Sequence, residues 1–199
     1  MLLCFSKSTI LPPEIVINGE QIGRVDFSKL LGIIASDDLK WQRHVDMIYS
    51  KASRKIYGLI MLAKAGVSQS DLLEVYTGRI RPLVEYACQL WHPGLTKEQS
   101  SCLESIQKRA LRIIYKDTEY AQALELSKLP TLHDRRIEMC RKLFVQIQDK
   151  NHRLNKLLPP KKENTHGLRN INTYETVKCK TNRYKHSYIP YCLDNFQTK

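Results

Sequence analysis

The feature that most constrains this fold is a run of apolar residues that recur every three or four positions from Trp41 onward. The run consists of Trp41, Val45, Ile48, Ala52, Ile56, Leu59 and Ala63. This spacing places the apolar side chains on one face of an α-helix. Ser36 or Asp37 is a candidate N-cap, and Gly66 is a candidate C-terminal stop. A long helix with one buried side is therefore predicted.

Later helices are predicted from N-terminal capping signals, in which a Ser or Thr is followed three residues later by an acidic or amide residue. The pairs are Ser68 with Asp71, Thr96 with Gln99, and Thr131 with Asp134. Pro82 cannot donate a backbone N–H, so it should kink or divide a helix over 71–91 near Arg81. A short helix is predicted over 120–127 and a longer one over 132–150.

Short β-strands are predicted before the first long helix. Residues 14–25 place Asn18-Gly19 between two short apolar runs, which is a strong local signal for a tight hairpin. A further strand is predicted from Leu30 to Ala35. The fold class is therefore predicted as mainly α, with a small N-terminal β-hairpin, a helical bundle and an irregular basic tail. The expected divisions are 1–36, 37–158 and 159–199.

The charge of the chain favours a polyanionic partner. The 32 Lys and Arg against 20 Asp and Glu give a net charge of +12, which suits nucleic acid or an acidic membrane surface. Residues 150–199 hold eleven Lys and Arg but three Asp and Glu. No apolar run reaches the roughly 20 residues of a membrane span, so we expect an intracellular protein, nuclear or cytoplasmic, without a membrane partner.

Basic residues follow the polar faces of several predicted helices. Lys108, Arg112 and Lys116 lie four residues apart, with Arg109 beside them. Similar ridges are Arg43, Lys51, Arg54 and Lys55, and then Arg135, Arg136, Arg141 and Lys142. These stripes could follow a phosphate backbone, although a solvated helix face would have the same pattern.

The tail and the aromatic residues allow two interpretations each. Arg183 is a predicted phosphate contact, and the rings of Tyr184 and Tyr188 could stack on unpaired bases. A floppy charged tail explains this segment nearly as well. Core packing is the favoured role for the aromatic residues on apolar stripes. These residues are Trp41, Tyr76, Tyr86 and Trp91.

No arrangement of residues predicts catalysis. Asp37-Asp38 could hold magnesium ions only in a turn between two apolar strands. Here Asp38 leads directly into the helical repeat, so helix capping is favoured over metal binding. The six histidines are scattered singly, and the six cysteines contain no C-x-x-C pair, which favours reduced thiols. We expect no catalytic residue, no metal site and no cofactor in this chain.

Several short motifs, taken in order, carry a family resemblance. They are Leu31-Gly32-Ile33, Asp38-Leu-Lys-Trp41 with His44-Val45, Ile80-Arg-Pro-Leu-Val-Glu-Tyr-Ala87, Trp91-His-Pro93, Ile106-Gln-Lys-Arg-Ala110, Arg135-Arg136, Leu157-Leu158-Pro159, Thr181-Asn-Arg-Tyr184 and Ser187-Tyr-Ile-Pro190. Over nearly its whole length the chain resembles the C-terminal part of the reverse transcriptase of non-LTR (LINE-type, jockey-like) retrotransposons. The family's usual closing W-N is replaced by Asn195-Phe196-Gln197.

The resemblance implies a region that handles template and primer. Leu31, Gly32 and Ile33 would correspond to the primer grip, and the basic helices to the thumb that holds an RNA–DNA template-primer duplex through phosphates. The fingers and the palm carboxylates would lie before Met1, so this polypeptide is expected to be inactive alone, with Mg²⁺ needed only by an intact polymerase. A truncated open reading frame is expected. The alternatives are a free-standing, sequence-independent RNA- or DNA-binding module and a non-functional pseudogene product.

Overall fold

Two short antiparallel hairpins precede the helices in the computed structural model, which describes residue 3 and residues 14–162 and 173–197. The first hairpin joins β1 (Val16–Ile17) to β2 (Glu20–Gln21), with Val16 opposite Gln21. Asn18 and Gly19 have φ angles of 52° and 83°, as a type I′ turn requires. The predicted Asn-Gly hairpin is confirmed.

The second hairpin replaces the single strand that was predicted from Leu30 to Ala35. Strand β3 (Phe27–Leu30) pairs with β4 (Ile33–Ser36), and Leu30 lies opposite Ile33. Leu31 and Gly32 form the turn, with φ angles of 47° and 85°. The prediction was wrong because Leu-Gly, unlike Asn-Gly, is a weak turn signal, and its first residue must adopt a strained left-handed conformation.

Helix α1 (Gln42–Lys64) begins later than its predicted cap. Its N-cap is Trp41, which makes no side-chain capping bond. Asp37 and Asp38 instead bind the local backbone, since Asp38 N donates to Asp37 Oδ1 and Lys40 N donates to Asp38 Oδ1. The predicted capping role of Ser36 or Asp37 was therefore wrong, although the predicted stop at Gly66, with φ of 82°, is confirmed.

The next helical stretch is interrupted, as Pro82 predicted. Helix α2 (Gln69–Val75) passes through a π-helical turn (Tyr76–Ile80) into α3 (Arg81–Glu85). The chain then breaks at Tyr86-Ala87, where Ala87 has a φ of 49°. Helix α4 (Cys88–Trp91) and a 3₁₀ turn (His92–Gly94) follow the break.

Of the three remaining helices of the bundle, the first and third begin directly after the predicted caps Thr96 and Thr131, whereas the second follows Glu119, for which no cap was predicted and which makes no side-chain capping bond. They are α5 (Lys97–Ile114), α6 (Tyr120–Ser127) and α7 (Leu132–Ile147). Backbone N–H groups of Asp71, Gln99 and Asp134 donate to the side-chain oxygens of Ser68, Thr96 and Thr131, respectively. Only the Thr96–Gln99 pair forms the full reciprocal box among the described residues.

A continuous apolar core joins these helices and anchors β4. Helices α1 and α5 are packed side by side, and the core between the elements includes Val45, Ile56, Leu103 and Ile106. Ile33 of β4 is buried against the same core. Trp91 and Tyr76 are fully buried, so their predicted role in core packing is confirmed.

The C-terminal segment is more regular than predicted. Helices α8 (Asn182–Lys185) and α9 (Tyr188–Phe196) form there, and Cys192 and Leu193 of α9 pack on Phe144 of α7. The short apolar face of α9 provides enough contact to fix this segment, despite the basic residues that precede it. The rest of the expected fold class, mainly α with a small N-terminal β-hairpin, is confirmed. No described helix is long and apolar enough to cross a membrane.

Candidate nucleic-acid interface

Helices α1 and α5 lie side by side and run in the same direction. Near their N-terminal ends, Gln99 Nε2 donates to Gln42 Oε1 at 3.1 Å. Further along, Arg109 Nη1 donates to Ser53 Oγ at 3.2 Å. The second contact lies farther from the N-terminus than the first on both helices, so the two helices are parallel. Arg109 of α5 therefore lies beside the middle of α1.

One solvent-facing surface of this helix pair combines cations with exposed apolar side chains. We call it the α1–α5 outer face, and it consists of Arg54, Tyr57, Gly58, Met61, Arg109 and Arg112, all exposed. On α1, the residues from Arg54 to Met61 share one side because helix positions three, four and seven apart are neighbours. The Arg109–Ser53 bond brings the predicted cations of α5 next to those of α1.

The other predicted cations of α1 lie farther from α5. Ser53 faces α5, and Lys51 is about 160° away around the helix, since each residue turns it by about 100°. Lys51 lies one turn before Arg54, at the edge of the outer face that is remote from α5. Lys51 and Lys55 are exposed on that flank, and the charge of Lys51 contributes to the lowered pKa of His44, for which burial is the larger cause. The guanidinium of Arg43 lies over the Phe27 ring at 4.3 Å.

The basic stripe of α5 also spreads over two surfaces. The Lys108 ammonium lies 5.3 Å from the centre of the Tyr120 ring. Lys108 and Arg112 line an open cleft of about 620 Å³ at the start of α6, together with Asp117 and Glu119. Lys116 is exposed just beyond the end of α5. The two carboxylates make this cleft less suited to an anion than the outer face.

The predicted basic ridge on α7 was wrong for its first two arginines. Arg136 is fully buried, and its guanidinium lies 5.9 Å from the centre of the Trp91 ring. Arg135 forms an ion pair with Glu85, which also pairs with Arg81. Both arginines make contacts within the protein, so they are not available to an external phosphate.

The residues predicted to resemble a primer grip form the turn of the second hairpin. Leu30 and Leu31 expose 70% and 82% of their surface. The Tyr86 hydroxyl donates to the Leu31 carbonyl at 3.0 Å, and Tyr86 itself is 56% exposed. The prediction that Tyr86 packs in the core was therefore wrong, because the break at Ala87 turns the Tyr86 side chain toward the hairpin. The Ile34 N–H donates to His44 Nδ1 at 3.3 Å, which fixes the hairpin to α1.

The predicted stacking residues of the tail differ in their surroundings. Tyr184 is 47% exposed, so its ring is accessible. Tyr188 is half-buried, and its hydroxyl donates to the Cys140 carbonyl at 2.8 Å. Burial raises the pKa of Tyr188. The pKa of the Asp38 carboxyl is lowered, chiefly by a hydrogen bond from the Lys40 backbone. The charge of Arg183 is a smaller cause of the same shift.

The structure reveals two features that the sequence analysis missed. Glu104 of α5 accepts hydrogen bonds from the backbone N–H groups of Leu132 and His133 at the start of α7, and from the Tyr120 hydroxyl. Arg136 falls four residues from Leu132 and from Cys140, on the buried stripe of α7. That spacing could have indicated from the sequence alone that Arg136 is buried. Among the described residues, no cluster of His, Cys, Asp or Glu could hold a metal ion.

Comparison with known proteins agrees with the resemblance. The chain is 23% identical over 187 residues, 86% of its length, to a probable RNA-directed DNA polymerase from transposon X-element of Drosophila melanogaster. The matched region spans about a fifth of that relative, 20% of its length. No protein-family profile and no solved structure matches the chain. The expected similarity to a retrotransposon RNA-directed DNA polymerase is therefore confirmed.

Proposed function

We propose that this chain is the thumb and C-terminal region of a non-LTR retrotransposon reverse transcriptase, and that it holds a template–primer duplex through phosphate contacts. The observation that carries the proposal is the α1–α5 outer face, where Arg54, Arg109 and Arg112 are exposed on two adjoining helices. Cations that contact phosphates fix the position of a duplex but do not read its sequence. Binding should therefore be independent of sequence and sensitive to salt.

Nucleotide addition would take place in another part of such a polymerase. We propose that the Mg²⁺ ions bind palm carboxylates that this chain does not contain, and that residues 1–36 adjoin that palm. The exposed Leu30 and Leu31 side chains at the hairpin turn support a surface that a larger protein covers, since contiguous exposed apolar residues mark interaction sites. On its own, the chain should bind nucleic acid but add no nucleotides.

A second candidate is a free-standing module that binds RNA or DNA without sequence preference. The observation that favours it is the continuous core of α1, α5 and their neighbours, which does not depend on another chain. Both candidates predict the same binding surface. Addition of the purified chain to a polymerase core that lacks its own thumb would separate them, because only the first candidate predicts restored primer extension.

The binding surface is tested by reversing its two charges on α5, those of Arg109 and Arg112, together with the charge of the adjacent Lys108. We expect Lys108→Glu, Arg109→Glu and Arg112→Glu together to weaken binding of a duplex by at least tenfold, which is about 1.4 kcal/mol. The slope of log K against log salt should become shallower by about one unit for each phosphate that the variant no longer neutralises. Fluorescence anisotropy titrations at several salt concentrations measure both quantities.

A matched control changes the net charge equally at distant, exposed lysines. Lys97→Glu, Lys150→Glu and Lys156→Glu alter residues at the start of α5 and beyond α7, all of which are exposed. Binding should weaken much less in this variant. Equal loss of affinity in both variants would mean that only net charge matters, and it would contradict the proposed surface.

A further inference from the structure

Three buried cysteines from different helices lie together in the helical bundle. Cys88 of α4, Cys140 of α7 and Cys192 of α9 are fully buried, and none of them is in a disulfide. The three helices pack directly against one another, and the charged form of Cys140 would be repelled by both of the other thiolates. These cysteines are far apart in the sequence, so only the fold brings them together.

Two of these cysteines form a hydrogen-bonded pair of thiols. The Cys140 thiol donates to Cys88 Sγ, and the Cys88 thiol donates in turn to Met139 Sδ at 3.8 Å. A disulfide forms between sulfurs about 2.05 Å apart, and only where the two backbones are close. Because α4 and α7 are in direct contact and the two thiols already meet, the pair has the arrangement from which a disulfide can form.

A buried arginine beside the pair favours ionisation of one thiol. Arg136 is fully buried, and its Nη1 has no hydrogen-bond partner among the described residues. The hydrogen bond from Cys140, and then the charge of Arg136, lower the pKa of Cys88, although burial opposes both. The hydrogen bond to Cys88, and then burial, raise the pKa of Cys140. Because the thiolate is the reactive form of cysteine, Cys88 is the nucleophile of the pair.

Helix α9 covers the pair and limits the access of an oxidant. The Tyr188 hydroxyl donates to the Cys140 carbonyl at 2.8 Å, and Cys192 and Leu193 pack on Phe144 of α7. This apolar cluster is separate from the main core and much smaller. Segments with few buried apolar contacts open at a lower free-energy cost than the rest of a protein. Local opening of α9 is therefore the route by which a small molecule reaches the thiols.

We propose that Cys88 and Cys140 are a redox-sensitive dithiol, which hydrogen peroxide converts to a disulfide when α9 opens. The Cys88 thiolate attacks one peroxide oxygen, so that an S–O bond forms and the O–O bond breaks. The hydroxide that leaves recombines with the proton that Cys88 released. The Cys140 sulfur then attacks the sulfenic sulfur of Cys88, so that the S–S bond forms and the S–O bond breaks. The second hydroxide takes the Cys140 proton.

The net reaction oxidises two thiols to one disulfide and reduces one peroxide to two molecules of water. The new bond joins α4 to α7 and closes a loop over residues 88–140. Because a cross-link restricts the unfolded chain, the oxidised bundle should resist unfolding more than the reduced one. This inference goes beyond the proposed function and does not depend on it.

The test maps the disulfides of the folded, full-length chain after treatment with excess hydrogen peroxide. Iodoacetamide blocks the remaining thiols, and mass spectrometry of peptides under non-reducing conditions identifies the linked cysteines. We expect a cross-link between Cys88 and Cys140 that dithiothreitol removes, and a higher melting temperature for the oxidised protein. Cys192→Ser is the matched control, because it removes a neighbouring buried thiol and should form the same cross-link.

Further variants separate the roles of the surrounding residues. Cys140→Ser should stop the reaction at the sulfenic acid of Cys88, which dimedone traps. Arg136→Met should slow oxidation about tenfold, as expected if the pKa of Cys88 rises by about one unit, and the ultraviolet absorbance of the thiolate should then appear at higher pH. Arg136→Lys keeps the charge and should slow oxidation less. Leu193→Ala loosens α9 and should speed oxidation.

The map of the wild-type chain decides the proposal, whether or not every variant folds. Recovery of Cys88 and Cys140 as free thiols after prolonged exposure to peroxide would overturn it. Oxidation of the half-buried Cys102 or Cys179 in the same sample would confirm that the peroxide was active. A cross-link from Cys140 to Cys192 in place of Cys88 would also overturn it. Circular dichroism before and after treatment checks that the chain stays folded, since an unfolded chain would form mixed cross-links.

Discussion

Two buried polar clusters in the helical bundle satisfy their hydrogen bonds to very different degrees. We call them the Gln107 network, which contains Gln107, Glu104, Tyr76 and Tyr120, and the Arg136 cluster, which contains Arg136, His92, Ser100 and Tyr191. Each joins several helices through residues whose side chains are wholly or partly buried. The difference between them shows where the bundle gains stability from polar groups and where it loses it.

The Gln107 network joins α5 to its neighbours with short hydrogen bonds. The Tyr76 hydroxyl donates to Gln107 Oε1 at 2.6 Å. Gln107 Nε2 donates to the Pro130 carbonyl at 2.9 Å and to the Tyr120 hydroxyl at 3.1 Å. Tyr120 in turn donates to Glu104, which also binds the start of α7. A fully paired network of this kind fixes the relative positions of the helices.

The Arg136 cluster has longer contacts and one unpaired atom. Arg136 Nη2 donates to Ser100 Oγ at 3.0 Å, and Arg136 Nε donates to His92 Nδ1 at 3.4 Å. Nη1 has no hydrogen-bond partner among the described residues. Burial lowers the pKa of Arg136, and the nearby Glu85 is already bound by Arg135 and Arg81. A buried charge with incomplete pairing costs stability.

The largest expected effect comes from breaking the paired network. Gln107→Leu should lower the free energy of unfolding by roughly 3 kcal/mol, because the buried Tyr76 hydroxyl loses its acceptor and the Pro130 carbonyl loses its donor. Urea denaturation followed by circular dichroism measures the change. Adding Tyr76→Phe to this variant removes the orphaned hydroxyl, so the double variant should be less destabilised than the sum of the two single changes. A fully stable Gln107→Leu variant would contradict the comparison.

The sequence predicted much of the bundle because its signals are local. The helix caps, the Pro82 interruption and the Asn-Gly hairpin each depend on a few neighbouring residues. The two clusters depend on contacts between residues such as Tyr76 and Gln107, which lie 31 positions apart, and no local pattern reveals such a partner. At the candidate interface, the helical spacing predicted the exposed arginines of α5. It could not predict the Arg109–Ser53 contact, which places Arg109 on the side of α1 that is remote from Lys51.

An intermediate effect is expected from pH, through His92 of the Arg136 cluster. Burial, and then the charge of Arg136, lower the pKa of His92 from 6.5 to about 3. The folded protein keeps this imidazole neutral, whereas the unfolded chain takes up a proton below about pH 6.5. Stability from His92 is therefore fully present above that pH and is lost as the pH falls toward 3. Between about pH 7 and pH 5 the loss should be about 2 kcal/mol.

The His92→Asn variant isolates this contribution. The Asn amide oxygen can accept from Arg136 Nε in place of Nδ1 and does not titrate. Between pH 7 and pH 5, the unfolding free energy of the variant should fall less steeply than that of the wild type. The difference in slope corresponds to about one proton taken up on unfolding. The buried His44, whose pKa is lowered to about 4 by burial, remains in both proteins and contributes equally. Identical slopes would mean that His92 is protonated in the folded protein.

The smallest expected effect has the opposite sign to the first. Arg136→Met should leave the unfolding free energy unchanged or raise it by about 1 kcal/mol, because an apolar side chain of similar length replaces an incompletely paired buried charge. Arg136→Ala serves as the control, since it removes the charge but also leaves a cavity, which should destabilise the protein. Urea denaturation of the two variants separates volume from charge. If Arg136→Met were destabilised as much as Gln107→Leu, the two clusters would contribute equally, and the contrast drawn from their hydrogen bonds would be wrong.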